Sequence, residues 1–407
     1  EINFSASTEI RLKNTLEVAL VLDNSGSMDY VGTGSGKKRI DLLKDAAKQL
    51  VDTISGQAAQ MKQVSKPVQF SLVPFAASVN VGASHETSFW MDTTGISPIH
   101  HENFDWSTMG AADSNKKVEL SGGAYYKRGT GWGTEKDKVV TRFTLYKDMK
   151  RLTSVKTGTE TYCKEYKWNG TCKTWGTKDV YQLQPVSFAS WQGCVEARPY
   201  PYNTNDATPA VGTPATMFVP MFAPDETDQT DSSSRPANNN WWKDVTTNSS
   251  AAVRQRYMPK YFTAAAEGTA AMGLDAGPNP SCSTTPITPL ADVAGATGIS
   301  TIKTAIDAMT PNGATNVPEG LAWGWRSISG GEPFTEGRAD TEKGNDKVVI
   351  VLTDGANTYY TPTSVTAQTY SGTYWNYGGN DLAGSKAIYS AFGYLVPYAN
   401  AYSSGRL

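Results

Sequence analysis

The apolar positions of this chain fall into three regimes. Val18 to Leu22 is an unbroken apolar run, the pattern of a strand buried on both faces. Ile40, Leu42, Leu43, Ala46, Ala47, Leu50, Val51 and Ile54 then recur at helical spacing, with Lys and Asp on the opposite side, which predicts an amphipathic helix. "VQFSLVPFAASVNV", Val68 to Val81, returns as a second strand region. Strand, helix and strand in succession predict an α/β sheet.

From about Gly82 to Ala294 the pattern changes to Trp- and Tyr-rich segments broken by Gly, Pro, Asn and Thr. Helical periodicity is scarce there, so this stretch reads as a β-rich or irregular insertion. Within it Asn169-Gly170 is a two-residue hairpin turn signal. Phe222 to Asn240 is polar and reads as a surface loop. The α/β rhythm then resumes with a helical stripe at Ile299, Ile302, Ile306 and Met309, a short helix at "PEGLAWGWRSIS", and a second buried strand in "DKVVIVLTDG", Asp346 to Gly355. Residues 1–81 and 295–407 are therefore expected to form one α/β domain, and 82–294 an excursion from it. No internal repeat of fixed period is visible.

Size and charge narrow the picture. A chain of 407 residues exceeds one ordinary core and is expected to divide into two or three units. Its net charge is only -2, without a long basic or acidic block, which argues against nucleic-acid binding by counterion release. No apolar run approaches the roughly 20 residues needed to span a bilayer, and "EINFSASTEI" lacks the parts of a signal peptide. A leader or anchor upstream of Glu1 would leave the compartment open.

Four cysteines, Cys163, Cys172, Cys194 and Cys282, all lie in the middle of the chain, and no CxxC is present. That disfavours a zinc or thioredoxin-type site and favours two disulfides formed in an oxidising compartment. Of the three connectivities, Cys163 with Cys172 and Cys194 with Cys282 is the expected one, because the first pair closes a short local loop.

The candidate chemistry sits at strand ends. In open α/β sheets ligands bind at the carboxyl ends of strands, and both buried strands here run into an aspartate there, Asp23 and Asp354. Asp23, Ser25 and Ser27 occupy alternate positions of a turn, with Gly26 allowing the bend. Together these side chains would make a group of hard oxygen ligands, suited to Mg2+, Mn2+ or Ca2+.

At this point the residues resemble a known family. "LVLDNSGSM", the helix "KRIDLLKDAAKQLVDTI", "GATNVPEGLAWGW" and "VVIVLTDGANT" are similar to the von Willebrand factor A domain, a doubly wound, Rossmann-like α/β fold with a metal-ion-dependent adhesion site. A closer likeness, carried by "SLVPFAASVNVG", "GCVEARP", "GLAWGWRSIS", "LTDGANT" and "AFGYL", is to the TadG-like proteins of bacterial tight-adherence (Flp) pilus systems. The resemblance implies a site built by Asp23, Ser25, Ser27, Thr315 and Asp354. In that picture the two serines and at times Thr315 contact the cation directly, while the aspartates act largely through water. An open coordination position would take an Asp or Glu carboxylate from a protein partner, either a pilus component or a surface receptor. The resemblance thus implies adhesion or assembly at a bacterial surface, in the periplasm or outside the cell, without catalysis. It also implies an upstream membrane anchor and further sheet elements beyond Leu407. The rival expectation is a structural, self-associating protein whose insertion makes the contacts while the metal only rigidifies the domain.

Other signals are weaker. "GTGSGKKR", Gly32 to Arg39, fails as a phosphate loop because Val31 and Lys38 stand where Gly and Ser or Thr are required. His85, His100 and His101 lie near no GxSxG elbow, and the adjacent pair reads as a surface loop. Asp225, Asp228 and Asp231 hint at a loose calcium site but lack the EF-hand spacing. Trp132, Trp168, Trp175, Trp191, Trp241 and Trp242 read as the core of a β subdomain rather than a glycan- or protein-binding face, with Trp241-Trp242 the expected exposed exception. Asn169 and Asn248 stand in glycosylation sequons, which matter only in a source that glycosylates.

Overall fold

The computed structural model describes residues 14–61, 64–102, 104–225, 228, 241–247, 251–265, 277–279, 282–355 and 389–394. Asp231 and Asn248 lie outside them. In chain order the regular elements begin with β1 (Thr15–Asp23), α1 (Arg39–Ala58) and β2 (Val68–Phe75). The middle segment holds α2 (Ser107–Ala112), β3 (Lys117–Ser121), β4 (Ala124–Arg128), α3 (Arg142–Asp148), β5 (Lys150–Tyr166), β6 (Cys172–Ser187), β7 (Val195–Glu196), β8 (Val219–Pro220) and α4 (Ala251–Gln255). Then come β9 (Thr288–Asp292), α5 (Ala296–Ala308), α6 (Val317–Arg326), β10 (Asn345–Leu352), β11 (Tyr389–Ser390) and β12 (Gly393–Tyr394).

The fold is mixed α/β. Its central sheet has the order β10-β1-β2-β9, with β1 parallel to both β10 and β2, and β9 antiparallel on the edge of β2. The apolar run of β1 reflects its central place: its residues are buried on both faces. Side chains alternate between those faces. Val18, Leu20 and Leu22 pack with Leu43, Ala47 and Val51 of α1 and Ile302 and Ile306 of α5. Ala19 and Val21 face Trp323 of α6 on the other side. Gly320 and Gly324, one turn apart on α6, let that helix lie close to the sheet: a Cβ on Gly320 would stand 2.6 Å from Phe75 Cγ.

Among the described residues the middle segment builds no core of its own. Its buried Trp90, Trp106, Trp132, Trp191, Trp241 and Trp242 belong to the same cluster as Val21, Phe75 and Trp323. It is less regular than expected, contributing among the described residues three separate two-stranded sheets rather than one extensive β structure. One piece expected in the excursion, β9, instead supplies the antiparallel edge of the central sheet. The edge position explains why "TPLAD" shows no buried-strand pattern: only Leu290 is buried, and four of its five residues keep partial solvent contact.

Two disulfides are present, Cys163–Cys172 and Cys194–Cys282. The Asn169-Gly170 signal marks the turn between β5 and β6, with Gly170 at φ 81° and its N–H donating to Lys167 O at 2.9 Å.

Several sequence expectations are corrected. Trp168 and Trp175, read as core, are exposed on the two-stranded β5–β6 ribbon, which has no third strand to cover them among the described residues. Trp241 and Trp242 are buried, not exposed, because Asp225 Oδ1 accepts from both of their backbone N–H groups at 2.8 and 2.6 Å. Asp225 is itself buried and pairs with Lys260 Nζ at 2.6 Å. Burial pushes its carboxyl up to about 7, against the pull of Lys260. It belongs to a core ion pair, with both carboxylate oxygens engaged inside the protein. His100 is likewise buried: its Nε2 accepts from Arg142 N at 2.9 Å, leaving Nδ1 to carry the proton 2.8 Å from Asp92 Oδ2.

Candidate functional site

β1 and β10 run side by side in parallel, with Leu22 opposite Leu352. The residues after each strand therefore leave the same end of the sheet together. Asp23 closes β1, and Thr353-Asp354 comes directly after β10. Thr353 Oγ1 donates to Asp23 Oδ2 at 2.7 Å, while Asp23 Oδ1 accepts from Ser25 N at 2.8 Å. Both carboxylate oxygens of this fully buried aspartate are thus held from opposite sides, one by the neighbouring strand end and one by its own turn.

The turn then brings the serines over. Ser25 Oγ and Ser27 Oγ are 3.2 Å apart, and Ser27 Oγ donates to Asp354 Oδ1 at 3.0 Å. Asp23, Ser25, Ser27 and Asp354 form one continuous hydrogen-bonded chain. The other oxygen of Asp354 is taken by Arg39, Nη1 to Oδ2 2.5 Å. Arg39 is the first residue of α1. A cation is unfavourable at a helix N-terminus, and the Asp354 carboxylate beside it offsets that.

Thr315 arrives from the loop between α5 and α6. That loop is stitched to the turn: Asn312 N donates to Asn24 O at 2.8 Å, Gly26 N to Gly313 O at 2.9 Å, and Asn24 Nδ2 to Thr310 O at 2.7 Å. Thr315 is buried within it, and the next residue, Asn316, caps α6 by accepting from Glu319 N at 3.3 Å. All five residues singled out in the sequence therefore lie on segments packed at one end of the sheet. Two participants were not foreseen. Thr353 stands beside Asp354 just past the end of β10, and Arg39 ends the basic run "GKKR", whose meaning only the folded position of α1 reveals.

The donor set fits a hard divalent cation. Every side-chain donor is an oxygen, and adjacent ligands around Mg2+ at its usual bond length stand about 2.9 Å apart. The spacings of 3.2 and 3.0 Å from Ser25 to Ser27 and from Ser27 to Asp354 are close to that value. Among the described residues no three His, Cys, Asp or Glu side chains are grouped so that they could hold a metal ion, so such a site would be poor in carboxylate. Arg39 opposes a cation at Asp354 and would have to give up its partner.

A scan against models of protein families finds no match, and neither does a search of curated proteins. Among solved structures, a likeness of 23% identity is found to the PilB minor pilin from Streptococcus sanguinis, covering 18% of this chain and 17% of that one. Its TM-score of 0.14 is too low to carry an argument about fold or function.

Proposed function

We propose that the protein is a metal-dependent adhesion or pilus-assembly protein of a bacterial surface, which binds a partner carboxylate through a divalent cation. The observation behind this reading is the oxygen cluster of Asp23, Ser25, Ser27 and Asp354 at the carboxyl ends of two adjacent parallel strands, with the Thr315 loop fastened against it. The family resemblance of these segments and the β10-β1-β2-β9 order, with helices on both faces, support it.

In this reading Ser25, Ser27 and Thr315 hold Mg2+, Mn2+ or Ca2+, and Asp23 and Asp354 orient the site. When bound, the cation supplies a Lewis-acidic position for a partner's Asp or Glu. A shell with few direct carboxylates leaves the ion with positive charge for the partner to neutralise. The work is binding, not turnover. The two disulfides suit an oxidising location, periplasmic or extracellular.

Immobilised protein and matched peptides carrying Asp or Asn at one position test this directly. The Asp peptides should bind in magnesium and be released by EDTA, and Asp23→Ala should abolish capture. Equal binding with and without EDTA would refute the proposal.

A further inference from the structure

β5 and β6 pair along their whole length as a two-stranded ribbon, Lys150 opposite Ser187 at the base and Tyr166 opposite Cys172 at the tip. Among the described residues no third strand joins them. The base is tied down where Leu152 N donates to Ala265 O at 2.6 Å. From Lys156 outward nearly every residue of both strands is exposed, so the ribbon stands away from the body as an arm. At the usual rise the stretch from Lys156 to the turn is about 35 Å long.

The tip is not built like an idle loop. Trp168 at the turn is 100% exposed, Tyr166 66% and Trp175 65%. Large aromatic rings are normally covered, and none of these three is. Lys164, Lys167 and Lys173 stand among them, with Glu165 the one acid, paired to Lys173 at 2.9 Å. The Cys163–Cys172 bridge and the bonds Lys167 N to Thr171 O at 2.8 Å and Gly170 N to Lys167 O at 2.9 Å fix the turn that presents them.

Charge is divided in the same direction. Residues 150–187 carry seven basic and three acidic side chains, a balance of +4, while the whole chain sums to -2 and the remainder to -6. An anionic surface would attract the arm and repel the body. The arm is several times longer than the screening length of about 8 Å at physiological salt, so the tip can touch such a surface while the body stays beyond its repulsion.

We propose that the tip of this arm, Tyr166, Trp168 and Trp175 with Lys164 and Lys167, docks into the headgroup layer of an anionic lipid bilayer. The tip is convex, which suits a deformable interface better than a rigid ligand that must be enclosed. Trp and Tyr rings have an apolar body and a polar edge and settle at the headgroup level. The lysines draw the tip toward negative lipid, each worth about fivefold in partition.

Co-sedimentation with vesicles of phosphatidylcholine alone and of equal parts phosphatidylcholine and phosphatidylglycerol tests the inference. The full chain should bind the anionic vesicles and not the neutral ones, with or without EDTA, so that the result is separate from the fate of the cation site. Lys164→Glu with Lys167→Glu should weaken binding roughly 25-fold or more, and Trp168→Ser with Tyr166→Ser should abolish it. These side chains are exposed, so circular dichroism and the melting temperature should not move. Absence of vesicle binding, equal binding to both compositions, or binding unchanged in the variants would overturn the proposal. So would a dimer, or capture of soluble polyglutamate, that needs Trp168 while vesicles are ignored.

Discussion

Ser27 and Asp354 lie 327 positions apart in sequence, and the serine hydroxyl donates to the aspartate at 3.0 Å. The pairing of β1 with β10 makes this meeting unavoidable: two parallel strands in register deliver the residues beyond their ends to one place. The turn after β1 supplies half of the oxygen cluster and the end of β10 the other half.

The same aspartate is held by Arg39, and this sets the first prediction. A guanidinium and a divalent ion beside one carboxylate repel each other, by on the order of 1–3 kcal/mol at a partly exposed site. Arg39→Gln should therefore tighten Mg2+ binding about tenfold or more, measured by calorimetry. An unchanged affinity would mean that Arg39 does not compete with the ion.

Close helix-to-sheet contact at α6 gives a second. Gly320→Ala would place a methyl 2.6 Å from the buried ring of Phe75. Overpacking of this kind costs about 1–3 kcal/mol, which urea unfolding should show.

The two disulfides should differ in weight. Cys194–Cys282 spans 88 positions and Cys163–Cys172 only 9. Chain entropy assigns about 4.5 kcal/mol to the first and about 2.5 to the second. Moreover the short bridge lies on the arm, away from the shared core. Replacing Cys194 and Cys282 by Ala should lower the global melting temperature strongly, whereas the same change at Cys163 and Cys172 should leave it nearly unmoved.

Acid stability depends on the buried pair His100 and Asp92. Burial lowers the pKa of His100, with Arg142 adding to the effect against Asp92 and Glu196. Burial alone would raise Asp92, but the hydrogen bond and charge of His100 and the N–H groups of Ser97 and Ile96 hold it at about 2. Both folded-state values lie below the unfolded ones, so both groups stabilise at high pH and lose that contribution on acidification. The loss should begin below about pH 6.5 for His100 and continue from about 4 to 2 for Asp92. Asp92→Asn should cost roughly 2 kcal/mol at pH 7, and the difference from wild type should vanish near pH 2 in melts followed by circular dichroism.

How much of this was legible beforehand depended on whether the signal was local. Val18 to Leu22, the stripe from Ile40 to Ile54 and the Asn169-Gly170 turn each announce an element within a few residues, and the elements are there. The five oxygen-bearing residues could be picked out because strand ends and a family likeness marked them. Arg39 on Asp354, the buried Trp241-Trp242 pair and the His100–Asp92 contact could not. Each depends on a partner brought up by tertiary packing: Asp225 and Lys260 turn a polar-flanked Trp pair into core, and Arg142 fixes the histidine's tautomer from 42 positions away. The edge strand β9 was missed for the related reason that an edge keeps no unbroken apolar run.

Titration calorimetry of Mg2+ into the wild-type protein and into Ser27→Ala addresses the central claim most directly, since Ser27 bridges Ser25 and Asp354. One saturable site in the wild type, lost in a variant that keeps its fold by circular dichroism, is the expected result. No saturable heat with magnesium, manganese or calcium at millimolar concentration, or equal binding by the variant, would contradict it.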